Sequence, residues 1–443
     1  MVKRKNSMFE IGILLSLFGI QYSRVLMELF ATEVNLTNAL FVFSILLIID
    51  FRHLDRLTRL TSNRNIILIL TYQVIVIIYA FLAHAPFLDG GVHASVFTFF
   101  CFVFIISLHT RRLNEFDSKK FIDYGWWTTG VFTVILAVMI TNLYRRFSTL
   151  TYLPMGSDRL TLSVLAFAHL VFTLCKTKNR PVEKVCTLVF IINAIICMVL
   201  FLRKGLIISY AVILLFHLWR RYGNKITKKM VTRTVLVIGT IILLIFASQF
   251  IFPEIWNGLK NTIEQVVWVV NGFFGRDSDI IYNSGAIRNY NRINSWNDYM
   301  TNYSGIEIVL GKGYGYDNID LPAFTAFKDL GLFGGIFYII IQIIIPLTLI
   351  FKKTNDSAII FFQYFSIYTI ISAFYTGVSY GHYKFVPIIL LAYFGTVLKK
   401  KSAKVNWGGV QLKDIFSSLF TGKTTKRERV NGYAIAFRRA VAI

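Results

Sequence analysis

The feature that most constrains this chain is a succession of apolar runs, bounded by basic or polar residues, that fills most of its length. The runs lie near 8–30, 36–50, 65–84, 94–109, 124–142, 160–175, 185–202, 205–218, 234–252, 327–351, 357–376 and 385–398. About 20 residues rising 1.5 Å each cross ~30 Å of hydrocarbon, so the pattern predicts an all-α integral membrane protein with about 12 transmembrane helices. Lipid supplies no water to satisfy backbone N–H and C=O groups, which leaves the helix as the form each run can take. Composition agrees, since 55% of the residues are hydrophobic and only 16% charged, outside the usual soluble range. The first run lacks a small-residue cleavage site and is followed at once by another, so it reads as an uncleaved span.

The formal charge of +24, from 47 Lys and Arg against 23 Asp and Glu, would point to nucleic acid in a soluble protein. Its distribution points to topology instead. With the N terminus and its Lys3, Arg4 and Lys5 in the cytoplasm, alternate connections hold Arg52 to Arg64, Arg111 to Lys120, Lys176 to Lys184, Arg220 to Arg233, Lys352-Lys353 and Lys399 to Lys404. The intervening loops near 31–35 and 85–93 carry Glu33 and Asp89 but no Lys or Arg, the asymmetry of the positive-inside rule. Both termini are therefore expected in the cytoplasm, and no nucleic-acid partner is expected, because the basic loops are short, scattered and free of interleaved aromatics. Cys101, Cys175, Cys186 and Cys197 lie in or beside apolar runs without metal-ligand spacing, which argues against a disulfide scaffold or a zinc site.

This reading divides the chain into spans 1–9 over 1–252, a large extracytoplasmic loop over 253–326, spans 10–12 over 327–398, and a basic cytoplasmic tail over 399–443. In the loop, Trp256, Trp268 and Trp296 are candidates for the membrane interface, and Ile255 to Val270 reads as an amphipathic helix on the outer surface. The tail has Val410, Leu412, Ile415, Phe416, Leu419 and Phe420 at helical spacing, an interfacial helix by the same logic.

Charges on the wrong side of this topology mark the candidate chemistry. Arg145, Arg146 and Arg159 fall in an outer loop. Arg203 and Lys204 interrupt an otherwise continuous apolar stretch at its outer boundary; either they hold an anionic ligand or they turn the chain and reach headgroups. In the large loop, Arg288, Arg292 and Trp296 stand at i, i+4 and i+8 and would share one helix face. Two guanidiniums so placed form a fork for phosphate oxygens. Leu310-Gly311-Lys312-Gly313-Tyr314-Gly315-Tyr316-Asp317 is a glycine-alternating segment but not a phosphate-binding loop, since no Ser or Thr follows the lysine. Phe327-Lys328-Asp329-Leu330-Gly331-Leu332-Phe333-Gly334 then leads into the next span. Arg24 and Glu28 are expected to pair inside the bundle, and His169 and His217 to face neighbouring helices.

Taken in order, these elements resemble the O-antigen and capsular polysaccharide polymerase family (Wzy), related to the O-antigen ligases. The resemblance rests on Arg292 with Trp296, on Gly311, Gly313 and Gly315, on Asp329-Leu330-Gly331-Leu332-x-Gly334, and loosely on Leu202-Arg203-Lys204-Gly205. It implies a GT-C-like polytopic fold with the large loop between helices 9 and 10. The implied activity is glycosyl transfer at the outer face of the bacterial cytoplasmic membrane, between oligosaccharides carried on undecaprenyl diphosphate, for capsule, exopolysaccharide or O-antigen. Arg203, Arg288 and Arg292 would stabilise the departing diphosphate. Lys204, Trp296, Tyr314, Tyr316 and Asp317 would contact substrate, as would Tyr290 and Glu307. The ligase-like members carry a histidine where this chain has Asp320-Leu321, so the base for the acceptor hydroxyl is Asp320 or lies elsewhere, with His382 one substitute; Asp317, Asp320 and Glu307 are candidate sugar contacts or bases. No cofactor is implied; membrane lipid, a chain-length regulator and a flippase are the implied partners. A lipid-linked oligosaccharide flippase is the rival reading, although it needs no large external loop, and a ligase is a third.

Overall fold

The computed structural model describes residues 7–82, 89–144, 155, 157, 159–176, 181–201, 204–222, 284–313, 321–374 and 381–404. Among these residues the regular elements are all helices. The chain divides into two compact units, Met1–Thr396 and Val397–Ile443, and the account below concerns the first.

The first part of the chain forms α1 (Met8–Phe30), α2 (Thr37–Ile48), a 3₁₀ helix over Phe51–Ser62, α3 (Arg64–Leu82), α4 (Asp89–Thr110), α5 (Ser118–Tyr144), α6 (Arg159–Cys175), α7 (Pro181–Leu200) and α8 (Lys204–Tyr222). After the gap come α9 (Ser284–Asn302), α10 (Gly305–Leu310), α11 (Pro322–Ile339), a π-helical turn over Ile340–Ile344, α12 (Ile345–Ile350), α13 (Ser357–Ser372) and α14 (His382–Lys404). Every apolar run of the sequence coincides with helix except 234–252, which lies outside the described residues, as do Ile255 to Val270, Arg145, Arg146 and the tail segment 410–420.

Among the described residues, four helical stretches are long and apolar enough to cross a membrane, namely Met8–Phe30, Ser118–Thr141, Pro181–Met198 and Pro322–Ile350. The pair Thr37–Ile48 and Phe51–Thr58 would be a fifth, bent by 80° at its break. Other apolar helices, such as Thr161–Cys175 and Ser357–Ser372, are shorter than the ~20 residues of a straight crossing. By length and composition the chain is thus an α-helical, membrane-embedded protein.

Lipid tails are as apolar as Leu, so helices in a bilayer associate through shape and hydrogen bonds, with little hydrophobic gain. The bundle has both. Phe18 on α1, Phe121 on α5, Phe172 on α6 and Phe361 on α13 are fully buried. Phe172 and Phe361 stack at 4.0 Å, and Phe361 meets Phe121 at 5.6 Å. The Phe172 ring fills the place a side chain at Gly125 would take, so that glycine lets α5 and α6 close up. Between helices, Trp126 Nε1 donates to Thr173 Oγ1 at 3.2 Å, His169 Nδ1 lies 3.2 Å from Thr129 Oγ1, and His217 Nδ1 lies 2.8 Å from the Tyr364 hydroxyl. The two histidines do face neighbouring helices. The expected Arg24–Glu28 pair does not form: Glu28 accepts the N–H groups of Met155 and Ser157 at 3.1 Å each, and Arg24 reaches the Met27 sulfur. The backbone N–H groups of Met155 and Ser157 are donors, which the Glu28 carboxylate accepts and a guanidinium cannot.

The connections that carry the basic residues meet at one end of the bundle. Arg56, almost fully buried, donates to the Thr110 carbonyl at 3.0 Å and pairs with Glu115, while Arg111 donates to the Ile48 carbonyl at 2.6 Å. Ser118 donates to Asp356 at 2.7 Å, Arg220 donates to the Thr354 carbonyl at 2.6 Å and to Gln363, and the Tyr393 hydroxyl donates to the Arg111 carbonyl at 3.0 Å. Lys176 sits between Asp123 and Glu183, 3.9 Å above the Trp126 ring. α13 starts at this basic end, through Asp356, and finishes at the opposite end, where the Ala373 carbonyl accepts the Ala323 N–H at 3.1 Å. That contact places the start of α11 away from the basic loops.

Phe361→Ala should leave a cavity among four helices. In lipid the transfer part of the cost is small, so we expect about 2 kcal/mol, read as a lower unfolding temperature of the detergent-solubilised protein; an unchanged temperature would place the core elsewhere.

Candidate functional site

The candidate site is built where α9, α10 and the first half of α11 meet. α11 opens on Pro322, whose fixed φ and missing N–H suit a first helical position. It is broken in the middle by Gly331 at φ +67°, ψ −169°, a conformation essentially restricted to glycine. A helix that ends leaves its last carbonyls without intrahelical partners. Two of those here, on Lys328 and Asp329, accept the N–H groups of Lys312 and Gly313 at 2.9 and 3.0 Å.

Lys312 and Gly313 reach those carbonyls because α10 also stops on a glycine. The helix starts with a capping box, in which Ser304 Oγ accepts the Glu307 N–H at 3.3 Å and Glu307 Oε2 accepts the Ser304 N–H at 2.7 Å. It ends at Gly311, φ +79° and ψ +171°, in the same glycine-only region. The two glycines face each other: a Cβ on Gly311 would run into the Asp329 carbonyl, and one on Gly331 into the Val309 carbonyl. Each backbone occupies the space the other's side chain would need. The Gly311–Gly313 segment and the Asp329-Leu330-Gly331 segment thus form one interlocked unit. Glu307, expected as a substrate contact or base, serves as a cap, and the backbone and side chain of Ser304 hold its carboxyl below the usual carboxylate range.

α9 is fastened to this unit by Lys328, which is 1% exposed. Its Nζ donates to Ser295 Oγ at 2.8 Å and to Asp298 Oδ2 at 3.1 Å, and lies 5.7 Å from the Tyr303 ring centre. Lys312 Nζ stands 4.1 Å above the same ring, so one aromatic face is shared by two ammonium groups. Removing an ion from water costs several kcal/mol unless it is paired and hydrogen-bonded, which is why the buried lysine selects this docking of α9. Asp298 is held below the usual carboxylate range by its hydrogen bonds from Asn302 and then Lys328. Aromatic contacts complete the joint, with Trp296 against Phe324 at 5.4 Å, Tyr299 against Phe324 at 5.5 Å and Tyr299 against Tyr303 at 4.8 Å.

Arg288, Arg292 and Trp296 all lie on α9 at the expected spacing. Arg292 is half-buried with its Nε turned inward, one turn from Ser295, while Trp296 packs on Phe324 and keeps half its surface exposed. The structure therefore joins the helix that carries Arg292 and Trp296 to the first half of α11, through Ser295 and Asp298 on Lys328 and Trp296 on Phe324. Lys204 is the first residue of α8 and His382 the first of α14; their side chains lie outside the description, as does that of Arg288. Arg203, Tyr314, Gly315, Tyr316, Asp317 and Asp320 are outside the described residues. Sequence reasoning missed Ser295, Asp298, Tyr303 and the role of Lys328. The available signal was a Lys-Asp pair at the mouth of an apolar run, where an ionisable residue must find a partner.

Gly331→Ala and Gly311→Ala should each add about 1–3 kcal/mol of backbone strain before the collision with the opposite chain, detected as rapid proteolysis between α9 and α11 while the bundle persists. A protease-resistant alanine variant would show the crossing to be dispensable. The lowered Asp298 pKa has a definite sign. The pairing contributes fully above the unfolded value near 3.9 and is lost as pH falls through the lower folded value. Protection of α9 should therefore be flat across neutral pH and fall only in strong acid, a fall that Asp298→Asn should abolish. No family model matches the chain, and no curated protein matches it.

Proposed function

We propose that this protein is a membrane glycosyltransferase that polymerises oligosaccharide repeat units carried on undecaprenyl diphosphate. In this reading the chain crosses the bacterial cytoplasmic membrane about twelve times, with both termini in the cytoplasm and the α9–α11 unit on the outer side. The observation that supports it best is that three separated stretches are held on one half-helix: α9, with its arginine and tryptophan, docks on α11 through Lys328 and Phe324, and the Gly311–Gly313 segment crosses the Asp329 to Gly331 break of α11. The resemblance to the polymerase family rests on the same three stretches. Their position at the end of the bundle away from the basic loops fits an outer-face reaction under the positive-inside rule.

In the transfer, the bond from the donor's anomeric carbon to its diphosphate oxygen breaks as the acceptor hydroxyl forms a new glycosidic bond. The hydroxyl proton passes to a base, Asp320 or His382, and the lipid diphosphate departs. Arg288 and Arg292 on α9, with Arg203, would stabilise the charge developing on the leaving oxygens; each offers a planar fork of donors that stays charged at any relevant pH. Lys204, Tyr314, Tyr316 and Asp317 would hold the sugars and diphosphate. Trp296, anchored on Phe324 with half its surface open, offers a flat apolar face to a sugar ring.

Arg292→Ala should lower polymer formation by about 10²-fold or more, with normal insertion of the protein, and Arg292→Lys should be damaging as well because the fork is lost. Deleting the gene and locating the lipid-linked glycans by mass spectrometry tests the class of reaction. Single repeat units gathering at the outer face support a polymerase; units held at the inner face would mean a flippase, and finished polymer left on its lipid carrier a ligase.

A further inference from the structure

α9 has three sides. The side toward α11 carries Ser295 and Tyr299. Next to it, Ile293, Trp296 and Met300 follow one another at i, i+3 and i+7, and all three are exposed, Met300 to 63%. The third side repeats the same spacing one residue later with Asn294, Asn297 and Thr301, also exposed. A helix with adjacent apolar and polar strips, both uncovered, is the form taken by segments lying in a membrane interface.

α10 continues the apolar strip. Ile306 is 72% exposed, and Val309 and Leu310 are also open. The glycine crossing sets Val309 against Gly331, and immediately after Gly331 the spanning part of α11 presents Leu332, Phe333 and Ile336 outward, Phe333 to 63%. The exposed apolar residues of a helix read as crossing the bilayer thus follow directly on the point where α10 meets it. A surface that adjoins one covered by lipid and carries the same aliphatic side chains, with the Glu307 carboxylate at its edge, is suited to the same solvent.

We propose that α9 and α10 are embedded in the outer boundary of the bilayer, with lipid acyl chains covering Ile293, Met300, Ile306 and Leu310 and the asparagine strip of α9 facing water. Arg292, on the side of α9 that faces α11, then sits near the depth of lipid phosphates. This proposal depends on the membrane character of the chain and not on the polymerase reading, so either can fail alone.

The test is spin labelling of single cysteines at Ile293, Asn294, Asn297, Met300, Thr301 and Ile306 in proteoliposomes of phosphatidylethanolamine and phosphatidylglycerol. Cys186, the half-buried native thiol, is replaced by Ser; Cys101, Cys175 and Cys197 are buried. Since the labelled positions are exposed, the substitutions leave the packing intact. The expected result is a severalfold higher ratio of oxygen to nickel-chelate accessibility at 293, 300 and 306 than at 294, 297 and 301. Equal nickel access at all six would mean that the strip is wet and would overturn the proposal. Spin–spin broadening at 300 and 306 that disappears on dilution with unlabelled protein would overturn it too, by showing that a second copy covers the strip.

Discussion

The end of the bundle away from the basic loops depends on one crossing of two backbones, at Gly311 and Gly331. Each glycine has a positive φ with an extended ψ, and each stands in the space where the other's Cβ would be. The approach leaves the Lys328 and Asp329 carbonyls beside the Lys312 and Gly313 N–H groups, and the hydrogen bonds between them satisfy groups that the broken α11 would otherwise leave open. Without the crossing, α10 has no fixed relation to α11, and the half-helix from Pro322 to Leu330 has no reason to stop where it does. The second half of α11 begins where the crossing ends, so the same contact sets where the helix restarts after its break.

A second constraint follows from the first. The break in α11 buries Lys328, and a buried ammonium has few stable surroundings. Ser295, Asp298 and the Tyr303 ring provide one, and all three belong to α9 or the turn after it. One charge thereby chooses which face of α9 turns inward, which residues stay in water and where Arg292 comes to rest. Directional contacts govern orientation here more than area does, as is general where lipid removes most of the hydrophobic gain of helix association. The same holds at the basic end, where Arg56 and Arg111 cap the carbonyls of helix ends and Arg220 holds the connection into α13.

Much of the architecture was legible in the amino-acid sequence. Apolar runs became helices because a segment of some 20 apolar residues has one way to satisfy its backbone in lipid, and Arg288, Arg292 and Trp296 lie on one helix because their spacing is helical. One expectation went wrong through competition invisible in a linear reading. Glu28 sits four residues from Arg24, yet the turn at 155–157 offers it two N–H donors from far along the chain. Glu307, a candidate sugar contact or base, also closes a capping box, whose signature, Ser304 three residues before it, stood in the sequence.

The sequence by itself determined the helical, membrane-embedded class, the positions of most helices and the candidate arginines, because hydropathy and helical period are properties of neighbouring residues. It also placed glycines and a Lys-Asp pair where a backbone break and a buried charge would be costly. The meaning of those residues was decided only by tertiary structure. Whether Gly311 meets Gly331, and whether Lys328 finds Asp298, depends on contacts between segments 18 to 33 residues apart. Such contacts are set by the packing of whole helices, which no local pattern encodes.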